Sequence, residues 1–212
     1  NIEDNILYVI GESKAALQVD DGWVGSLSKF ENTKGYWIAS SEELNFNYEL
    51  DVLSKKSNAS DIQDVYLDNF TFNQSTLQSF YFIDKLDVGD LNDNFIWIMA
   101  YHNDILVGYR KWSGNMTDIP VMGSDGSELT ELYLNLDDRP SFKLYNELDG
   151  SITPLRFKNI DTWEPNRVFV IEASDKALLP NHHDIVSIYP NPFNPQTNIQ
   201  FQLSADNYIS LN

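Results

Sequence analysis

The chain has 212 residues, with 32 acids against 14 bases, a formal charge of −18 at pH 7 and no cysteine. That balance repels phosphate backbones and anionic lipid surfaces, which argues against nucleic-acid binding, and without cysteine no disulfide, thiolate metal site or cysteine nucleophile can form. Hydrophobic residues make up 42 % and aromatics 13 %, enough for a packed core and a composition that favours strands over helices.

The opening Asn1-Ile2-Glu3-Asp4 has the wrong charge for a secretory signal and no apolar core follows it, so the chain reads as a piece of a longer precursor. No apolar run approaches the length of a membrane-spanning helix, and membrane insertion is not expected. Residues 1–53 alternate short apolar runs with turn signals and read as a small β-module. Residues 6–10 form a strand ended by Gly11, Asp20-Asp21-Gly22 turns into Trp23-Val24, and Gly35-Tyr36-Trp37-Ile38 is a further short strand. Residues 13–17 and 130–136 are the two short helical candidates. A polar linker follows at 54–64, with Ser54-Lys55-Lys56-Ser57-Asn58-Ala59-Ser60.

Residues 65–176 carry strand candidates at 79–83, 95–100, 105–109, 141–145 and 167–171, with His102-Asn103-Asp104 as a hairpin turn between two of them. Short strands separated by Asp, Asn and Gly predict an antiparallel β-sandwich. Trp37 and Trp97 lie inside apolar runs and are expected in the core. Residues 177–187, with Pro180 and His182-His183-Asp184, read as a second linker. Two adjacent imidazoles and a carboxylate could bind a metal, but neighbours in an extended chain point to opposite faces, and a linker is the expected role.

The last segment, 188–212, opens with Tyr189-Pro190-Asn191-Pro192-Phe193-Asn194-Pro195. Prolines at this spacing exclude a helix or a central strand. Behind them Thr197, Ile199, Phe201 and Leu203 alternate with Asn198, Gln200, Gln202 and Ser204, the pattern of a half-buried strand. The string closely resembles the start of the C-terminal sorting domains of type IX secretion substrates in Gram-negative bacteria. The resemblance covers about 25 residues and implies a partial Ig-like sorting domain, truncated after its second strand and short of what folds alone. It also implies that the type IX machinery is a partner of the full-length parent and that the product is secreted, extracellular or on the outer cell surface. Two further regions are similar to modules of large secreted proteins with the same sorting domain. One is Gly22-Trp23-Val24-Gly25-Ser26-Leu27 with Lys34-Gly35-Tyr36-Trp37-Ile38, where the resemblance implies a further strand before the matching region. The other runs from Phe80-Tyr81-Phe82-Ile83 through Trp97, Ala100, Val107-Gly108-Tyr109-Arg110-Lys111-Trp112 and Asp118-Ile119-Pro120-Val121-Met122-Gly123 to Pro140-Ser141-Phe142.

Two chemistries compete with plain structural roles. Asp84, Asp87, Asp90 and Asp93 recur every third residue, with Asn92 and Asn94 beside them. Oxygen-rich loops suit Ca²⁺, with Asp87, Asp90 and Asp93 as candidate ligands, although the spacing is not that of an EF-hand. The alternative is an acidic solvated loop before a buried strand. Ser124-Asp125-Gly126-Ser127-Glu128 is a second acidic turn open to the same two readings. Trp112, flanked by Lys111, Ser113, Gly114 and Asn115, and Trp163, in Asp161-Thr162-Trp163-Glu164-Pro165, are candidates for stacking on a pyranose ring, with Asn115 hydrogen-bonding hydroxyls. The alternative for each indole is the core. No Gly-x-Ser-x-Gly elbow, phosphate loop or zinc helix occurs, and the only histidines are His102, His182 and His183. The leading expectation is a non-catalytic secreted β-module for adhesion, spacing or assembly, with like subunits as partners. The alternative is a carbohydrate-binding module beside a polysaccharide-degrading enzyme, with polysaccharide as partner. Neither needs a cofactor, Ca²⁺ excepted.

Overall fold

The computed structural model describes residues 5–44, 67–88, 91, 93–178, 184–189 and 197–202. The protein is all-β, as composition and strand spacing predict: among the described residues there are strands and short 3-10 turns but no α-helix. An antiparallel four-stranded sheet comprises β1 (Ile6–Gly11), β2 (Lys14–Val19), β3 (Gly22–Val24) and β4 (Trp37–Ser40), in the order β3-β2-β1-β4. Two sheets follow from the middle of the chain. The three-stranded one holds β5 (Gln78–Ile83), β8 (Thr117–Met122) and β11 (Val168–Ile171), in the order β11-β5-β8. The five-stranded one holds β6 (Ile96–His102), β7 (Ile105–Lys111), β9 (Ser141–Asn146), β10 (Ile152–Phe157) and β12 (Ala173–Leu178), in the order β12-β10-β9-β6-β7. Finally β13 (Asp184–Tyr189) pairs with β14 (Asn198–Gln202). The pairings are antiparallel except that β11 runs parallel to β5, Val168 beside Phe80.

Side-chain alternation stacks these sheets in layers. Tyr81 and Ile83 of β5 point, with Ile119, Val121 and Ile171, at Ile96, Ile98, Ala100, Phe142 and Leu144 of the five-stranded sheet. The other face of β5 presents Phe80 and Phe82 to Ile10, Ala15, Tyr8, Leu17 and Val24 of the four-stranded sheet. On β6 the outward set Trp97, Met99 and Tyr101 is covered by Leu67, Phe70 and Phe72. Both strands are therefore buried on two faces, which is why their sequences run on as apolar residues instead of alternating. The four-stranded sheet and the sandwich share a buried cluster, so the first β-region rests directly on the second.

Two glycines permit close approaches. The chain leaves the five-stranded sheet at β7 and enters the three-stranded sheet at β8, and at that corner a Cβ on Gly108 would fall on the carbonyl of Pro120. A Cβ on Gly123 would fall inside the Trp163 indole.

Several expectations are corrected. Residues 13–17 do not make a helix: Ser13 sits in the β1–β2 turn at φ 56°, and Ala15, opposite Ile10, begins the inner face of β2. Residues 130–136 hold only the end of a 3-10 turn, Glu128–Thr130, and further turns. β8 and β10 escaped the sequence reading because Pro120 and Pro154 interrupt them; β8 tolerates its proline at the margin of its sheet. The 102–104 hairpin is present as expected, with Asn103 in the left-handed region at φ 53° that Asn tolerates. β13 occupies 184–189, which the sequence reading divided between a linker and the sorting-like segment. Residues 190–196 of that string, and His182 and His183, lie outside the described residues.

Candidate functional site: the exposed edge of the four-stranded sheet

The small sheet is fixed in place by polar side chains of the sandwich that grip the β1–β2 turn. Gln78 donates through Nε2 to the Gly11 carbonyl (2.8 Å) and accepts from the Ser13 amide (3.2 Å). Arg110 donates to the Ser13 carbonyl and to the Asp118 carboxylate, the latter at 3.2 Å. Asp118 also accepts from the Ser26 hydroxyl (2.6 Å) and the Ala15 amide (3.3 Å). Its side chain is 4 % exposed. Burial pushes the Asp118 carboxyl above its ordinary range, more strongly than Arg110 and the Ser26 and Ala15 donors pull it down. A buried charge held by three partners fixes one geometry of sheet on sandwich, since removing any partner leaves polar atoms unsatisfied.

Held this way, the sheet presents β4 at its margin. β4 pairs only with β1 among the described residues. Its sequence, Trp37-Ile38-Ala39-Ser40, has none of the lysines or prolines that blunt strand edges. Trp37 stands opposite Ile10 and Ala39 opposite Tyr8, so Trp37 shares the inner face. Yet Ile10 is fully buried while Trp37 is 59 % exposed; the cover supplied by Phe80 and Phe82 ends between the two strands. Trp37 was expected in the core and is not there, because a strand's apolar pattern reports which face it uses, not whether a neighbouring layer reaches that far. Trp23, opposite Gln18 on β3, is 42 % exposed on the other face of the sheet.

The indoles expected at the surface are inside. Trp112 and Trp163 are 5 % and 2 % exposed and belong to the main core. Trp112 follows β7 at the sandwich corner, its amide donating to the Ile96 carbonyl at 2.8 Å. Trp163 lies against Gly123 and donates its indole N–H to the Val121 carbonyl at 3.0 Å. Their polar neighbours do occupy turns, but the rings fold inward, and neither can stack on a sugar. Asn115 is exposed in the turn after Trp112 without an accessible indole beside it. The two tryptophans that are exposed, Trp23 and Trp37, stand on opposite faces of one sheet and make no common platform.

Asp87 and Asp93 are both exposed, Asp93 opening the 3-10 turn Asp93–Phe95; Asp90 lies outside the described residues. Among the described residues no group of three or more His, Asp or Glu converges as metal ligands do. The second acidic turn is explained by protein donors. Asp125 accepts from the Thr76 amide (3.1 Å), the Ser127 amide (3.2 Å) and the Thr130 hydroxyl (2.7 Å), which hold its carboxyl well below the usual range. The Arg110–Asp118 pair was not found from sequence. Its trace is a lone acid at the head of the apolar run Asp118-Ile119-Pro120-Val121, with a lone arginine on the preceding strand.

Comparison with known proteins finds no matching family model, no matching curated protein and no matching solved structure.

Proposed function

We propose that the chain is a non-catalytic β-sandwich module of a larger secreted protein, extracellular or on the outer cell surface, and that it serves adhesion, spacing or assembly through strand addition at β4. The address rests on the Tyr189–Pro195 string and its resemblance to type IX sorting domains. The mode of action rests on one observation, an apolar edge strand bearing a 59 % exposed tryptophan and no charged guard. Unpaired N–H and C=O groups along such an edge are a template for an incoming strand, and alternate side-chain sites such as Trp37 and Ala39 supply its specificity. The incoming strand comes from another copy or from a neighbouring module of the assembly. The carbohydrate reading rested on Trp112 and Trp163 and loses its platform with their burial.

Light scattering over a wide concentration range tests the mode of action. The wild type is expected to gain mass with concentration and Trp37→Lys to remain monomeric. A wild type that stays monomeric throughout would rule out self-association at this edge. Antibody labelling of intact source cells tests the address: signal that appears only after permeabilisation would overturn an exported location.

A further inference from the structure

The loop after β8 sorts its side chains by a period of three. Residues 127–133 wind as successive 3-10 turns, with the Thr130 amide donating to Ser127 at 3.1 Å and the Tyr133 amide to Thr130 at 2.9 Å. In such turns side chains three apart eclipse. Thr130 and Tyr133 form the inward face, 1 % and 4 % exposed. Glu128 and Glu131 form an acidic face, both exposed. The third face is Leu129 and Leu132, 69 % and 65 % exposed. Leu136, 62 % exposed, follows in the next turn.

These leucines are held in place. Asn73 donates to the Leu129 carbonyl at 3.1 Å, and His102 donates through Nδ1 to the Leu132 carbonyl at 2.9 Å. The same imidazole stands 3.5 Å from Asp138, in the turn that carries Leu136. A fixed apolar patch needs no ordering when it binds, which favours affinity, and neither Leu129 nor Leu132 has a role in the core. Around the patch the segment 124–139 has five acids and one base, Arg139, whose guanidinium is turned to the Ile160 carbonyl.

We propose that Leu129 and Leu132 form a docking patch for a polypeptide partner, an amphipathic helix whose apolar stripe is flanked by Lys or Arg. The eclipsed leucines lie roughly 6 Å apart along the turn axis, matching the spacing of i, i+4 side chains on a partner helix. Charge decides among occupants. A second copy docking by the same patch brings the same carboxylates against Glu128 and Glu131, and insertion into lipid would drag Glu128 and Glu131 into the headgroup layer. A cationic flank instead pairs with Glu128, Glu131 and Asp137. The patch is separate from the β4 edge, and the proposal stands whether or not the chain is exported.

The test is fluorescence anisotropy with a labelled synthetic helix bearing a leucine stripe flanked by lysines, and with its glutamate-flanked counterpart. Wild type is expected to bind the lysine peptide and not the glutamate peptide. Leu129→Ser with Leu132→Ser preserves every charge and is expected to weaken binding at least about tenfold while leaving the melting temperature unchanged. Equal binding by that variant would overturn the proposal, as would equal binding of the glutamate peptide. Leucine-dependent flotation with phosphatidylcholine vesicles would overturn it in favour of lipid, and leucine-dependent dimerisation in favour of a second copy. Should the double variant not fold, Glu128→Lys with Glu131→Lys replaces it: preference is expected to reverse towards the glutamate peptide, and an unchanged preference would refute the patch.

Discussion

The sandwich buries Trp97, Trp112 and Trp163 to 5 % exposure or less, whereas the four-stranded sheet leaves Trp23 at 42 % and Trp37 at 59 %. Both regions are built from short apolar strands with the same alternation. They differ in what lies above and below. β5 and β6 have a layer on each side, while in the small sheet the cover that the sandwich gives its inner face stops short of β4. The fate of an aromatic residue here is set by the stacking order of layers, and only secondarily by its neighbours in sequence.

Substitutions can break that contrast. Trp163→Ala should do most, since the ring fills core against Gly123 and nothing else can take its place; a loss of about 3–5 kcal/mol is expected, read from denaturant unfolding. Asp118→Ala comes next, at about 3 kcal/mol, the lower end of that range because Arg110 retains 21 % exposure. It should also loosen the small sheet, seen as faster amide exchange in β1 and β2, and unchanged exchange there would refute the clamp. Trp37→Ala should alter stability by less than about 0.5 kcal/mol. A loss comparable with that of Trp163→Ala would mean that β4 is covered in solution.

The two notable carboxylates give opposite pH signatures. Asp125 is held below its ordinary value of 3.8 by the Thr130, Thr76 and Ser127 donors, so its contribution is present above that value and lost as pH falls towards the folded one. Asp125→Asn should therefore lower the melting temperature at about pH 7, by a difference that begins to shrink only once the pH falls below 3.8 and closes as the folded carboxylate itself takes up its proton. Asp118 is raised by burial, so the folded state retains the proton longer than the unfolded chain. Its contribution falls as pH rises from 3.8 through the raised value, and Asp125→Asn should leave that limb of the pH profile intact.

Much of the fold was legible because burial on two faces writes itself as an unbroken apolar run, as in Phe80-Tyr81-Phe82-Ile83 and Ile96-Trp97-Ile98-Met99. β8 and β10 were not, because proline masks a strand's pattern although a sheet can hold it at a margin or an irregularity. β2 was missed because Ala15-Ala16-Leu17 suits a helix equally well, and only pairing with β1 decides. At the candidate site the error was symmetrical. Trp112 and Trp163 have polar neighbours and turn inward, while Trp37 has apolar neighbours and lies at an edge. Neither depth in a layer nor the reach of the next sheet is encoded locally. The leucine faces at 129 and 132 follow a period of three that becomes visible only once the turn is known to be 3-10.

The parallel pairing of β11 with β5 bears on how the chain is made. Phe80 and Phe82 are the floor on which the earlier four-stranded sheet rests, yet the strand beside them, Val168–Ile171, is among the last parts of the sandwich to be synthesised. A growing chain therefore has to hold an unfinished three-stranded sheet, with one flank of β5 open, until residue 171 has emerged. Long-range closure of this kind folds slowly and exposes strand edges while it waits. Order of synthesis thus makes β5, buried along its whole length in the finished protein, one of the most vulnerable strands during its production.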